Sequence, residues 1–107
     1  MLLKQLEYFI LVCDQNSFTE AANLAFISQS AISQQIKTLE QELGVTLLHR
    51  QGRSFTLTPA GNYFYRHGKA ILKEAEQVKK ETLNWSKSTS KIKVKINKRK
   101  GQFTPPT

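Results

Sequence analysis

The chain is poor in residues that staple or interrupt structure. Of 107 residues, one is cysteine, three are proline and five are glycine. The single thiol, Cys13, cannot close an internal disulfide, which suits a reducing compartment such as the cytoplasm. Its apolar neighbours favour a buried structural thiol over a reactive one. No run of 18 apolar residues occurs, which argues against a membrane-spanning helix. The N-terminus lacks a charged-then-apolar secretory pattern, because Lys4, Gln5 and Glu7 interrupt its apolar residues. An enzyme's equipment is missing too. There is no nucleophile–base set and no phosphate loop. His49 and His67 stand without a Cys or a second His at ligand spacing, so neither a metal nor a cofactor is expected.

Acidic residues are absent from residues 87–107, which carry seven Lys/Arg. Residues 1–86 carry nine Lys/Arg against eight Asp/Glu. Of the net +8, then, +7 belongs to the tail and only +1 to the body. A basic tail implies affinity for polyanions without choosing among them. The body has to be read from its arrangement.

What is present is a succession of short amphipathic segments. Leu2, Leu3, Leu6, Phe9, Ile10, Val12 and Cys13 follow helical spacing and predict a first helix ending near Asn16. Ser17 and Glu20 then have the spacing of a capping box, which starts a short second helix from Phe18 to about Ala25. After the brief apolar turn Phe26-Ile27, Ser28 is placed to cap a third helix that runs to Gly44. Its core stripe is Ile32, Ile36, Leu39 and Leu43. The period then changes. Residues 46–50 and 54–58 are β-compatible runs about Gly52, which predicts a hairpin. Thr58 and Pro59 restart a helix as cap and first residue. That fourth helix extends to about Trp85, with Ala60, Phe64, His67, Ile71, Ala75, Val78 and Trp85 tracing one stripe. Beyond it, residues 91–96 alternate as an edge strand would, and the remaining basic end reads as disordered.

This order predicts a mainly α fold: a winged helix-turn-helix of three helices plus a β-hairpin wing, followed by a long linker or dimerisation helix. Three divisions follow, at 1–58, 59–86 and 87–107. With the inner face of the third helix assigned to the core, its outer face is Gln29, Ser30, Ser33, Gln34, Lys37 and Gln41. Taken alone, a face of short amides and hydroxyls is ordinary solvated surface. Placed on the outward helix of a helix-turn-helix, it suits a groove of duplex DNA. Gln can donate and accept together, matching the N6 and N7 edge of adenine, and Ser serves bases or phosphates. The helix start at Ser28 to Ser30 offers N–H groups to a phosphate. Arg50 and Arg53 flank the wing, where an arginine can enter a minor groove or hold the backbone. The fourth helix outruns so small a body. The stripe of Phe64, His67, Ile71, Ala75, Val78 and Trp85 therefore calls for a second copy of the helix and a two-fold homodimer.

These residues resemble the N-terminal domain of the LysR-type transcriptional regulators. The resemblance is carried by LEYF (6–9), SFTEAA (17–22), SQSAISQQI (28–36), LE (39–40), LGVTLL (43–48), Arg50 and LTPAG (57–61), and covers about residues 1–86. It implies a bacterial winged helix-turn-helix acting on double-stranded promoter or operator DNA in the cytoplasm, nucleoid-associated when bound. It also implies a recognition helix at about 29–43 and a dimerising linker helix from Pro59. Gln29, Ser30, Ser33 and Gln34 occupy its groove-facing positions, and Arg53 its wing position near the minor groove. Members are usually much longer and carry an effector domain after the linker helix. Residues 91–96 are similar to that domain's opening strand. The chain is thus expected to be a truncated member without the effector domain, a fragment, or a frame-disrupted product. An alternative role is an effector-less partner that pairs through its long helix with a full-length relative.

Overall fold

Every helix start in the body has a side chain that answers a free backbone donor. The structure, a computed structural model, describes residues 1–52 and 54–88. Its elements are α1 (Leu3–Gln15), α2 (Phe18–Ala25), α3 (Gln29–Leu43), β1 (Leu48–Gln51), β2 (Ser54–Leu57) and α4 (Pro59–Ser88). The winged helix-turn-helix expected from the sequence is therefore the fold. Arg53 and the alternating segment 91–96, with the rest of the tail from residue 89, lie outside the described residues.

At the start of α1, the Gln5 side chain accepts from the Leu2 N–H at 3.2 Å. Ser17 caps α2 by accepting from the Glu20 N–H at 3.0 Å. The reciprocal half of the predicted capping box has nothing to do, because the Ser17 N–H already donates to the Val12 carbonyl at 3.3 Å. Ser28 caps α3 by accepting from the Ala31 N–H at 3.1 Å. Gly44 closes α3, donating to the Glu40 carbonyl at 2.8 Å.

The core is a contiguous cluster of Leu6, Phe9, Val12, Ala21, Ile32, Ile36, Leu39 and Leu47 with their neighbours. Ile32, Ile36 and Leu39 are fully buried, whereas Leu43, predicted to continue their stripe, is 39% exposed at the helix end. Leu2 and Leu3 are likewise exposed, while Gln5 and Leu6 of the same turn are buried. Cys13 is partly buried, and burial, reinforced by Asp14, pushes its thiol up to about 12. It stays protonated and unreactive at neutral pH.

The wing is an antiparallel pair with Leu48 opposite Leu57, Arg50 opposite Phe55 and Gln51 opposite Ser54. Gly52 turns it at a φ of 60°, a conformation that L side chains rarely adopt. The Glu40 carboxylate ties this wing to α3, accepting from the N–H groups of Leu47 at 2.7 Å and Leu48 at 3.1 Å. Thr58 caps α4. Its Oγ1 accepts from the Gly61 N–H at 2.8 Å and donates to the Thr46 carbonyl at 2.7 Å.

The chain divides into two compact units, Met1–Lys73 and a second from Glu74 onward. The first part of α4 thus belongs to the body. Of the predicted stripe, its inward residues include only Phe64. Gly61 and Gly68 are buried, and Phe64 and Leu72 pack on the core. The Phe64 ring meets Phe9 edge-on at 5.5 Å between centroids. Ala60, His67 and Ile71 are exposed instead. Periodicity had no way to find the two glycines, because a residue without a side chain carries no apolar signal. The Tyr65 hydroxyl donates to the Asp14 carboxylate, and Lys69 Nζ reaches the same carboxylate at 3.3 Å. Together they tie α1 to α4. In the second unit the helix is exposed apart from a half-buried Ala75, with Glu76–Lys79 at 3.7 Å and Gln77–Glu81 at 3.2 Å along its surface.

Candidate nucleic-acid interface

Because one side of α3 is fixed in the core, the direction of its other side is determined. Gln29, Ser30, Gln34 and Lys37 are exposed, and Ser33 is half-buried. Ser28 is used mainly as the helix cap, with its hydroxyl also 3.3 Å from that of Ser30. The Gln29 side-chain carbonyl accepts from the Thr19 hydroxyl at 3.1 Å, so α2 holds this amide and leaves its N–H₂ group as a donor. Gln34 makes only a long contact, 3.5 Å, to the Thr38 hydroxyl. Lys37 lies at the flank of the helix, on a shallow surface shared with Gln41, Gly44 and Thr46.

Arg50 is exposed on β1 and turns toward α3. Its Nη1 donates to the Ser33 Oγ at 2.6 Å, across 17 residues of sequence. The guanidinium carbon lies 4.4 Å from the centre of the Phe18 ring. Phe18 in turn meets Phe55 edge-on at 5.5 Å, and Phe55 stands opposite Arg50 in the hairpin. Gln29, Ser33 and Arg50 therefore converge on one cleft of about 480 Å³. Among the described residues, Asn16, Ser17, Phe18, Thr19, Gly52 and Ser54 also line it, and none of them is acidic. The structure thus brings Gln29, Ser33 and Arg50 together, while Gln34 and Lys37 stand along the helix away from that cleft.

Sequence reasoning missed Phe18 and Thr19 as parts of this surface. Ser17 and Glu20 beside them were legible as a helix start, and that role hid the rest. Among the described residues, no group of three or more His, Cys, Asp and Glu side chains could hold a metal ion. No helix among them is long and apolar enough to cross a membrane.

A helix-turn-helix with an outward polar helix, followed by a hairpin wing that shares a basic cleft with it, defines a winged helix-turn-helix domain. Residues 3–62 match the bacterial regulatory helix-turn-helix protein, lysR family. The chain belongs to that family. It is 41% identical over 78 residues to the HTH-type transcriptional regulator BenM of Acinetobacter baylyi, covering 73% of this chain and 26% of that protein. It is 46% identical over 77 residues to the nitrogen assimilation regulatory protein nac of Escherichia coli, covering 72% of this chain and 25% of that one. The chain thus spans about a quarter of the length of these relatives. Among solved structures, the BenM DNA-binding domain in complex with catB site 1 DNA superposes with a TM-score of 0.77 at 38% identity. That match covers 80% of this chain and 96% of the other. The CbnR DNA-binding domain in its DNA complex gives 0.75 at 35% identity, covering 80% and 99%.

Proposed function

We propose that this chain binds double-stranded DNA sequence-specifically as a LysR-type transcription regulator. In this reading α3 enters the major groove and the wing meets the backbone or the minor groove. It is a binding role rather than a catalytic one, exercised in the cytoplasm on the nucleoid. The observation that carries it is the two-sidedness of α3: Ile32, Ile36 and Leu39 fully buried, with Gln29, Ser30, Gln34 and Lys37 exposed opposite them. Solved relatives of the same fold in complex with DNA support it.

The residues take distinct parts. Gln34, whose amide has no strong internal partner, can present donor and acceptor together to adenine. Gln29, with its carbonyl taken by Thr19, is biased toward donating to a base acceptor. Lys37 and Arg50 supply charge for phosphates, and Arg53 takes the wing position implied by the family signature. The operator is two half-sites, because the partner is a second copy paired through α4. A mixed pair with a full-length relative is the second reading. It draws on the same row of α4 as the homodimer, Ile71, Val78 and Trp85, spaced seven apart.

The test begins with selection from a pool of random-sequence duplexes. Affinity for the selected duplex and for its scrambled counterpart is then measured over a range of salt. The expected result is a preference that persists as salt rises, while both affinities fall. Equal binding at every salt concentration would refute sequence reading. Gln34→Ala should cost about 1–3 kcal/mol of discrimination, confined to one base position.

A further inference from the structure

Arg50 and Ser33 do not act alone in the cleft. Phe18, the first residue of α2, lies under the guanidinium, and Phe55 supports Phe18 from the neighbouring strand. We propose that Phe18 is a positioning residue of the DNA interface: its ring, with the Ser33 hydroxyl, holds the Arg50 guanidinium ready for a backbone phosphate entering the cleft. The inference rests on the DNA-binding reading and deepens it.

Three features point to a phosphate. A guanidinium has five N–H donors in a fixed plane, and only one of them is used by Ser33. The ring face attracts the cation without consuming any donor, so the remaining edge stays available for the paired oxygens of a phosphate. Among the described residues, the lining supplies further hydroxyl and amide groups and no carboxylate that would compete for the cation. Ser33 gains a definite role as well. By accepting the bond from Arg50, its oxygen leaves the hydroxyl proton for an acceptor on the nucleic acid. The three contacts also join α2, α3 and the wing around one charge, so the wing cannot shift without moving the charge. An exposed arginine is otherwise a flexible chain that loses rotamer freedom on binding. Here part of that ordering is complete before DNA arrives.

A phosphate contact is independent of sequence, so a mixed-sequence 30-base-pair duplex is a sufficient probe for the full 107-residue chain. Phe18→Leu removes the ring face and retains apolar bulk against Phe55. Phe18→Tyr retains the face. Arg50→Ala removes the charge. Binding is measured at several salt concentrations, at a temperature where thermal melting shows each variant folded. The expected result is binding weaker by about fivefold for Phe18→Leu, and a salt dependence of log K shallower by up to about 0.9, the loss of one phosphate contact. Phe18→Tyr should restore both. Combined with Arg50→Ala, Phe18→Leu should add little further loss, since the group it positions is already gone. Weaker binding with an unchanged salt slope, or fully additive losses in the double variant, would reduce Phe18 to a packing residue and overturn the proposal. Binding by the wild-type chain that Phe18→Leu leaves untouched would overturn this proposal alone. Failure of the wild-type chain to bind any duplex would remove the DNA-binding reading itself.

Discussion

A Cβ built at residue 61 would lie 2.0 Å from the carbonyl oxygen of Leu47 and 2.9 Å from its carbon. The obstacle is backbone, and it is held in place: the same carbonyl accepts from the Thr58 N–H at 3.0 Å. Gly61→Ala must therefore push the first turn of α4 away from the strand that begins the wing, and the cost should be about 3 kcal/mol or more. Urea unfolding should show this as a lower midpoint at similar slope. A Gly61→Ala variant as stable as the parent would mean that the close approach is dispensable. Gly52→Ala makes a useful contrast, because nothing lies within 4 Å of its site and only the φ of 60° is unfavourable. It should cost about 1–2 kcal/mol, from backbone conformation alone. The two glycines also differ in legibility. Gly52 sits between two β-compatible runs and announces a turn. Gly61 sits inside a helix, where its purpose is a neighbour's carbonyl 14 residues back that only the tertiary fold brings near. Phe18 is of the same kind, because its ring is an ordinary helix-start residue until Arg50 arrives from the wing.

Among the elements, α3 was readable because its apolar residues are large, its cap is a serine and its stop is a glycine. Those three signals are local, and its predicted limits of 29 and 43 agree with the helix. The hairpin was legible for a similar reason. The first part of α4 was not, because its inward face alternates Gly61, Phe64, Gly68 and Leu72, so that two of its four positions carry no side chain. At about 100° per residue, the face marked by Ala60, His67 and Ile71 is rotated by roughly a quarter turn from the one that packs. Phe64, on the expected stripe, packs partly buried on the body's own core, edge-on to Phe9. Ile71, Val78 and Trp85 keep a seven-residue spacing in the sequence, the spacing of a helix-pair seam. Under the dimer reading, Ile71→Glu combined with Val78→Glu should weaken self-association by at least about tenfold, since charges would face each other across an apolar seam. Helix content should be unchanged, because both positions are already exposed in the single chain. Sedimentation and circular dichroism measure the two quantities separately. A variant that stays dimeric would place the seam elsewhere.

At the scale of the whole molecule, charge and shape are divided between different parts of the chain. The residues that present a shaped surface, up to residue 86, carry a net charge of only +1. Such a body can select a sequence, yet it contributes little long-range attraction. The basic tail has the opposite character. Ending the chain after Ser88 removes six Lys/Arg and no acid, while leaving α4 whole. Each of those cations that meets a phosphate should add about 0.9 to the steepness with which log K falls against log salt. Removing the tail should therefore make that dependence shallower and weaken binding to selected and scrambled duplexes by similar factors. Under the proposed reading the ratio between them should persist, because that reading puts the groups that distinguish bases on α3. The measurement is a pair of salt titrations, with and without the tail. A collapse of the preference on truncation would assign sequence reading to the tail and leave the polar face of α3 as solvated surface. An unchanged salt slope would mean that the tail's charges never reach the phosphates, and that Lys37, Arg50 and their neighbours account for the electrostatic attraction unaided.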